Sequence, residues 1–310
     1  VIPVSTNTTP FDFVYIPAAS DIGKTVIITI TTNNPEGAPC EAASAVYTLT
    51  VSPVPTPPVP GDIIQPTCAI PTGSVILSGL PATGTWELTR NPDNVITTGT
   101  GTSTTVAGLN PGTYTFKVKN SSGCVSESSS NVIIQSQPVT PSPPVAGTLT
   151  PPSCTVATGS ILLTGLFSQG SWTITRYPGA IKMNGSGTST TISGLQPGTY
   201  YFTLTSASGC TSSQSGNVII PVQPPTPSAP VISQITQPTH TVATGSVLLT
   251  GLPSSYQWRL TRSPGGNVTP GSGSSVTVTG LIPGTYTFTV TNAENCTSPP
   301  SASVIIKEQP

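Results

Sequence analysis

Charge is what this sequence has least of. Only 6% of its 310 residues are Asp, Glu, Lys or Arg, against roughly 25% in ordinary soluble proteins. The nine basic and ten acidic residues are spread thinly and leave a net charge of −1. No basic stripe forms, which argues against a nucleic-acid partner, and no polybasic or amphipathic segment suits a membrane surface. Long apolar runs are missing too. None reaches the ~18 residues of a membrane-spanning helix, so no membrane insertion is expected. A single His, His240, removes most acid–base and triad mechanisms. No phosphate loop, zincin motif or clustered-Asp calcium loop occurs. The chain starts at Val1 with neither an initiator Met nor a signal peptide, as a processed product or a piece of something longer would.

What is abundant is Thr, Ser, Val, Ile, Gly and Pro, with 30 Gly and 36 Pro. Branched Cβ atoms favour pleated strands, and Gly and Pro punctuate turns, so the composition predicts an all-β chain of many short strands. An internal repeat organises them. Trp86, Trp172 and Trp258 recur every 86 residues without a gap, as do Tyr114, Tyr200 and Tyr286, and Arg90, Arg176 and Arg262. Equal spacing means equal loop lengths. The domains expected are 1–55, then repeat 1 at 56–141, repeat 2 at 142–227 and repeat 3 at 228–310.

Within repeat 1, the apolar run 73–80 is closed by glycines. Trp86 and Leu88 alternate with Glu87 and Thr89 and face a core, while Arg90 sits near the strand end. Tyr114, Phe116 and Val118 point one way; Thr115, Lys117 and Lys119 point the other. Val132-Ile133-Ile134 forms the last strand. No segment sustains a 3.6-residue period, so no long helix is placed. The element Leu109-Asn110-Pro111-Gly112-Thr113-Tyr114 recurs at 195–200 and 281–286. It resembles the tyrosine corner of immunoglobulin and fibronectin type III sandwiches, in which Tyr bonds back to the backbone of the preceding corner. The expected fold is a tandem array of such β-sandwiches. Proline-rich segments at 52–60, 137–144 and 221–230 join them as semi-rigid polyproline II spacers, which predicts an extended rod. In residues 1–55, strands are expected at 11–17, 26–30 and 46–51, the C-terminal part of another sandwich whose missing strands lie upstream or on another chain.

Six cysteines remain. Cys68 and Cys124 lie in repeat 1, and Cys154 and Cys210 stand at the equivalent positions of repeat 2, 56 residues apart each time. Their recurrence favours two bridges within the repeats, Cys68–Cys124 and Cys154–Cys210, over reduced thiols. A loop of that length corresponds to about 4 kcal/mol in the chain-entropy account, and disulfides imply an oxidising compartment. Zinc sites are disfavoured because no C-x-x-C spacing occurs. In repeat 3, His240 takes the first position and leaves Cys296 unpaired; Cys40 is also unpaired, and either is a candidate for linking two chains.

No catalytic residue, cofactor or metal site is expected. Acidic positions do not recur: Glu87 becomes Thr173 and Arg259, and Asp93 and Glu127 have no reason to converge as a glycosidase pair. Lys117 and Lys119 become Thr203 and Thr205, which argues against isopeptide bonds. The recurring Arg is read as covering the core edge with its stem, in preference to a ligand-binding ledge. Asn-x-Ser/Thr occurs at Asn7, Asn120, Asn184, Asn267 and Asn295, a weak signal in a chain this rich in Ser and Thr.

The segment Gln237-Pro238-Thr239-His240-Thr241-Val242-Ala243-Thr244-Gly245-Ser246, its counterparts at 65–74 and 151–160, the Pro-Gly-Thr-Tyr element and the turns Gly123-Cys124 and Gly209-Cys210 together resemble the repeats of long cell-surface proteins of Bacteroidota, including gliding-motility adhesins with SprB-type repeats. Residues 1–55 resemble a partial PKD-like domain through Tyr15-Ile16-Pro17-Ala18-Ala19-Ser20-Asp21-Ile22. The resemblance implies an extracellular protein displayed on the cell surface by type IX secretion, acting in adhesion, gliding motility or filament formation. The expected function is a non-catalytic stalk or filament, with copies of itself in a fibre and an unnamed surface or glycan as partners. The alternatives are a glycan- or protein-binding adhesin module through exposed aromatics such as Tyr177, and an accessory region of a large secreted enzyme.

Overall fold

Strand-forming residues alternate with turn residues throughout, and a computed structural model of the chain folds accordingly. It describes residues 14–32, 41–168 and 170–310. Two units, Val1–Val139 and Thr140–Pro310, are distinguished and are taken in turn.

The first unit opens with an antiparallel hairpin, β1 (Thr25–Thr31) and β2 (Ser44–Thr50), with Ile28 opposite Tyr47. Of the strand expected at 11–17, residues 14–17 are irregular and 11–13 lie outside the described residues, as does Cys40. The reason is local. Tyr15 donates its hydroxyl to the Asp21 carboxylate at 2.5 Å, and the Ala18 N–H donates to the same group at 2.9 Å. Both bonds favour the ionised carboxyl and hold it below its ordinary range. They curl the segment into a three-residue 3₁₀ turn, Ala19–Asp21. The hairpin leaves Ile27 66%, Val46 62% and Tyr47 57% exposed.

Repeat 1 follows as seven strands: β3 (Val59–Ile64), β4 (Gly73–Ser78), β5 (Trp86–Asn91), β6 (Val95–Gly99), β7 (Ser103–Leu109), β8 (Gly112–Lys119) and β9 (Val132–Ile134). One sheet has the order β3-β4-β7 and the other β6-β5-β8-β9. The period-2 pattern sends Val75, Leu77, Trp86, Leu88, Phe116 and Val118 inward, each at most 2% exposed. They form one core between the sheets with Leu109, Tyr114 and Ile134. Strand β3 starts inside the expected proline linker. Pro60 is tolerated there because β3 lies at the edge of its sheet.

In the second unit, repeat 2 comprises β10 (Val145–Thr150), β11 (Gly159–Thr164), β12 (Ser171–Tyr177), β13 (Ile181–Ser186), β14 (Ser189–Leu195), β15 (Gly198–Ser206) and β16 (Val218–Ile220). Repeat 3 comprises β17 (Val231–Thr236), β18 (Gly245–Thr250), β19 (Trp258–Ser263), β20 (Val268–Gly271), β21 (Ser275–Leu281), β22 (Gly284–Thr291) and β23 (Val304–Ile306). Both repeat the three- and four-stranded orders of repeat 1 around cores of their own. The 3₁₀ turn is the one helical element among the described residues.

A serine pair, invisible as a motif among so many serines, closes each four-stranded sheet. Between β15 and β16 the chain runs irregularly beside β15, and side chains replace the missing ladder. The Leu204 N–H donates to Ser212 Oγ at 2.9 Å and the Phe202 N–H to Ser215 Oγ at 2.9 Å. Ser126 with Ser129, and Ser298 with Ser301, do the same in the other repeats. All six serines are buried. Ser212→Ala is expected to leave the Leu204 amide unsatisfied and to destabilise repeat 2 by about 1–3 kcal/mol. Urea denaturation, with faster hydrogen exchange at the Leu204 amide, checks this.

Candidate functional site: the junction between repeats

The tyrosine corner forms as expected. Tyr114 donates to Asn110 O, Tyr200 to Gln196 O and Tyr286 to Ile282 O, each at 2.9 Å. The recurring arginines are spent on it. The guanidinium carbons of Arg90, Arg176 and Arg262 lie 5.6, 5.5 and 5.4 Å from the centroids of those tyrosine rings, a cation–π cover over the core edge. In repeat 1, Asp93 also grips Arg90, with Oδ1 2.9 Å from Nε, and that bond holds the Asp93 carboxyl below its ordinary range. Position 93 becomes Gly179 and Gly265, so Arg176 and Arg262 lack that grip, and their buried Nε atoms have no hydrogen-bond partner among the described residues.

The cysteines are where the structure departs from expectation. Cys154 is bonded to Cys296, not to Cys210, with the two Cα atoms 5.4 Å apart. Cys296 is therefore paired and Cys124 is a free thiol, which removes the Cys68–Cys124 pairing as well. Cys68 and Cys210 are each disulfide-bonded. The physical reason is that the two cysteines of one repeat lie at opposite ends of its sandwich. Cys154 precedes β11 at the exit end of repeat 2. There Gln223, just past β16, donates through Nε2 to Ser153 O at 3.1 Å and Cys154 O at 3.2 Å. Cys296 follows β22 at the entrance end of repeat 3. Its sulfur lies 4.0 Å from Pro224 O. Asn292 builds that turn, accepting the Cys296 N–H at 2.8 Å and donating through Nδ2 to Pro225 O at 2.8 Å.

Linker and disulfide thus run side by side. The incoming chain at 223–226 is gripped by Gln223 and Thr226 on the repeat 2 side and by Asn292 on the repeat 3 side. Beside it, a groove of about 420 Å³ is lined by Pro225, Pro227, Leu252, Tyr256, Asn292 and Glu294. Two covalent connections between one sandwich and the next restrain bending and twisting where a single proline linker could pivot. At the exit of repeat 3, Gln309 makes the same bonds, to Thr239 O and His240 O, both at 2.9 Å. His240 supplies no thiol there.

Comparison with known proteins adds a distant likeness. No protein-family model matches the chain. Over 272 residues it is 28% identical to the mouse dyslexia-associated protein KIAA0319-like protein, a match covering 78% of this chain and 26% of that protein. The chain thus spans about a quarter of that relative's length. Among solved structures, the chicken CNTN1 FN1–FN3 domains align over 83% of this chain and 100% of theirs at 14% identity, with a TM-score of 0.28. A score so low carries no argument; the sandwich assignment rests on the strand orders and cores described above.

The other residues singled out from sequence stay apart. Glu127 is exposed and makes no ion pair with the Asp93–Arg90 pair among the described residues. Lys119 pairs with Glu87 at 3.1 Å. Asn120 is committed to its turn, accepting from the Ser122 and Cys124 amides. Among the described residues no helix is long and apolar enough to cross a membrane, and no cluster of three or more His, Cys, Asp or Glu could hold a metal ion. Tyr177 does have a partner that the sequence reading missed. It stacks on Tyr201, its cross-strand neighbour, with centroids 4.8 Å apart and rings 11° from parallel. The register of β12 against β15 creates the pair. Repeats 1 and 3 carry Asn91 with Thr115 and Ser263 with Thr287 at those positions.

Proposed function

We propose that the chain is the non-catalytic structural and adhesive repeat region of an extracellular surface protein, a stalk or filament that projects a contact site away from a cell. The bridge between successive sandwiches carries this reading. A disulfide within a small domain stabilises that domain; a disulfide from one domain to the next stiffens the string. Stable disulfides require an oxidising compartment, and few titratable groups are present to do chemistry. The resemblance to Bacteroidota surface repeats is consistent with surface display. Gliding motility and type IX secretion belong to this proposal through the repeat resemblance alone. Immunogold labelling of intact cells of the source organism with antibodies to the chain tests it. Label on projecting surface structures is expected, and label confined to the cell interior overturns it. A second reading, a glycan- or protein-binding module, draws on the stacked and half-buried Tyr177–Tyr201 pair, since aromatic rings offer an apolar face with a polar tip. Its confinement to one repeat ranks it below the first.

A further inference from the structure

Repeat 3 departs from the other two at one outward position of its four-stranded sheet. In repeat 1, Glu87 faces Thr98 and Lys119 across the strands and pairs with Lys119 at 3.1 Å. In repeat 2, Thr173 faces Asn184 and donates to its Oδ1 at 2.8 Å. In repeat 3 the residue is Arg259, and its cross-strand neighbours are Pro270 and Thr291. Pro270 has no acceptor on its side chain, and the Thr291 hydroxyl lies 2.8 Å from that of Thr297. Arg259 alternates with the buried Trp258 and Leu260 and is exposed. It makes no ion pair or side-chain hydrogen bond among the described residues. A groove of about 500 Å³ surrounds it, within the ~300–1,000 Å³ of small-ligand sites. Gln257, Ser272 and Asn295 line the same groove, exposed and with side chains likewise uncommitted among the described residues. No Asp or Glu lines it; Glu294, on the same turn as Asn295, lines the junction groove instead.

We propose that this groove of repeat 3 binds the hexuronate units of an acidic polysaccharide. The Arg259 guanidinium takes the sugar carboxylate, and Gln257, Ser272 and Asn295 hydrogen-bond the ring hydroxyls. Chemistry selects this occupant. A guanidinium fork matches a carboxylate through two parallel N–H···O bonds. Amide and hydroxyl side chains both donate and accept, as neighbouring sugar hydroxyls require. An acidic peptide suits the groove less well. Peptide and protein partners anchor through large side chains seated in apolar pockets, and the large apolar residue here, Trp258, is turned into the core at 2% exposed. A neutral polysaccharide would leave the guanidinium without a counter-charge. The site is separate from the Tyr177–Tyr201 pair of repeat 2. It goes beyond the stalk reading, since it stands whether or not the chain assembles into fibres.

Binding of the full oxidised chain to immobilised saccharides at low salt tests this. The hexuronate probes are oligogalacturonate, alginate oligomers and hyaluronan oligomers. Dextran and methyl-esterified oligogalacturonate serve as uncharged probes, dextran sulfate as a sulfated one and poly-glutamate as an acidic peptide. The expected result is binding of at least one hexuronate probe and of neither uncharged probe. Arg259→Gln should weaken that binding by at least about tenfold. Arg259→Glu, which installs the residue that repeat 1 carries at this place, should weaken it at least as far. Lys182→Gln, which removes an exposed cation of repeat 2, should leave it unchanged. An unaltered thermal midpoint shows that each variant is folded. Four results overturn the proposal: no hexuronate bound, binding undiminished in Arg259→Gln, an equal loss in Lys182→Gln, or tighter Arg259-dependent binding of dextran sulfate or poly-glutamate than of any hexuronate.

Discussion

Pulled from its two ends, the oxidised chain is expected to fall short of the reduced chain's full extension by at least on the order of 500 Å. Tension entering at Cys154 passes through the disulfide to Cys296 and bypasses the backbone between them, a sequence separation of 142. At roughly 3.3–3.6 Å per residue, that hidden length is about 470–510 Å. Segments inside the loop carry no end-to-end load, and their unfolding does not lengthen the string. Single-molecule force spectroscopy before and after dithiothreitol measures the difference. Equal contour lengths would exclude the bridge as the load path. A bridge within each repeat, as expected from sequence, would have hidden a shorter segment in two repeats and left the junctions to bear load on their linkers alone.

Gly185→Ala should destabilise repeat 2 by about 2–4 kcal/mol, a large part of the 5–15 kcal/mol typical of a domain. Gly185 lies directly across from Trp172 in the register of β12 and β13. The indole ring lies flat over it, so that an added Cβ would fall well inside the van der Waals contact distance of three ring carbons. The ring cannot slide away freely, because its Nε1–H donates to Gly187 O at 2.8 Å and the residue is 4% exposed. Gly99 under Trp86 and Gly271 under Trp258 repeat the arrangement. Urea denaturation followed by tryptophan fluorescence has one reporter per repeat. One third of the signal should shift to a lower midpoint, and an unchanged midpoint would show that the ring has room to move.

Legibility differed from residue to residue for physical reasons. The alternation of Trp86, Leu88, Phe116 and Val118 was readable because strand side chains alternate with a period of two and one face of each sheet is buried. The tyrosine corner was readable because its whole bond network lies within five residues. Strand β6 and the glycines beneath the tryptophans were not, since Val95–Gly99 has little apolar signal and the role of Gly99 exists only once Trp86 lies across from it. Tyr201 was missed for the same reason: its stack with Tyr177 is a product of register.

The disulfides divide the two kinds of information most sharply. By itself the sequence determined that cysteines recur at equivalent places, that the sandwiches repeat every 86 residues, and that oxidation suits such a chain. It could not determine the partners. In a gapless repeat, a cysteine's distance to its mate in the same repeat and its distance to the mate in the next one recur with equal regularity. Only the tertiary structure decided between them. Seven strands carry Cys154 to the exit end of its sandwich and Cys210 to the entrance end, and a disulfide tolerates only about 4.4–6.8 Å between Cα atoms. Cys154 was left within reach of the next repeat, and a staple expected to hold one bead together joins it to the next.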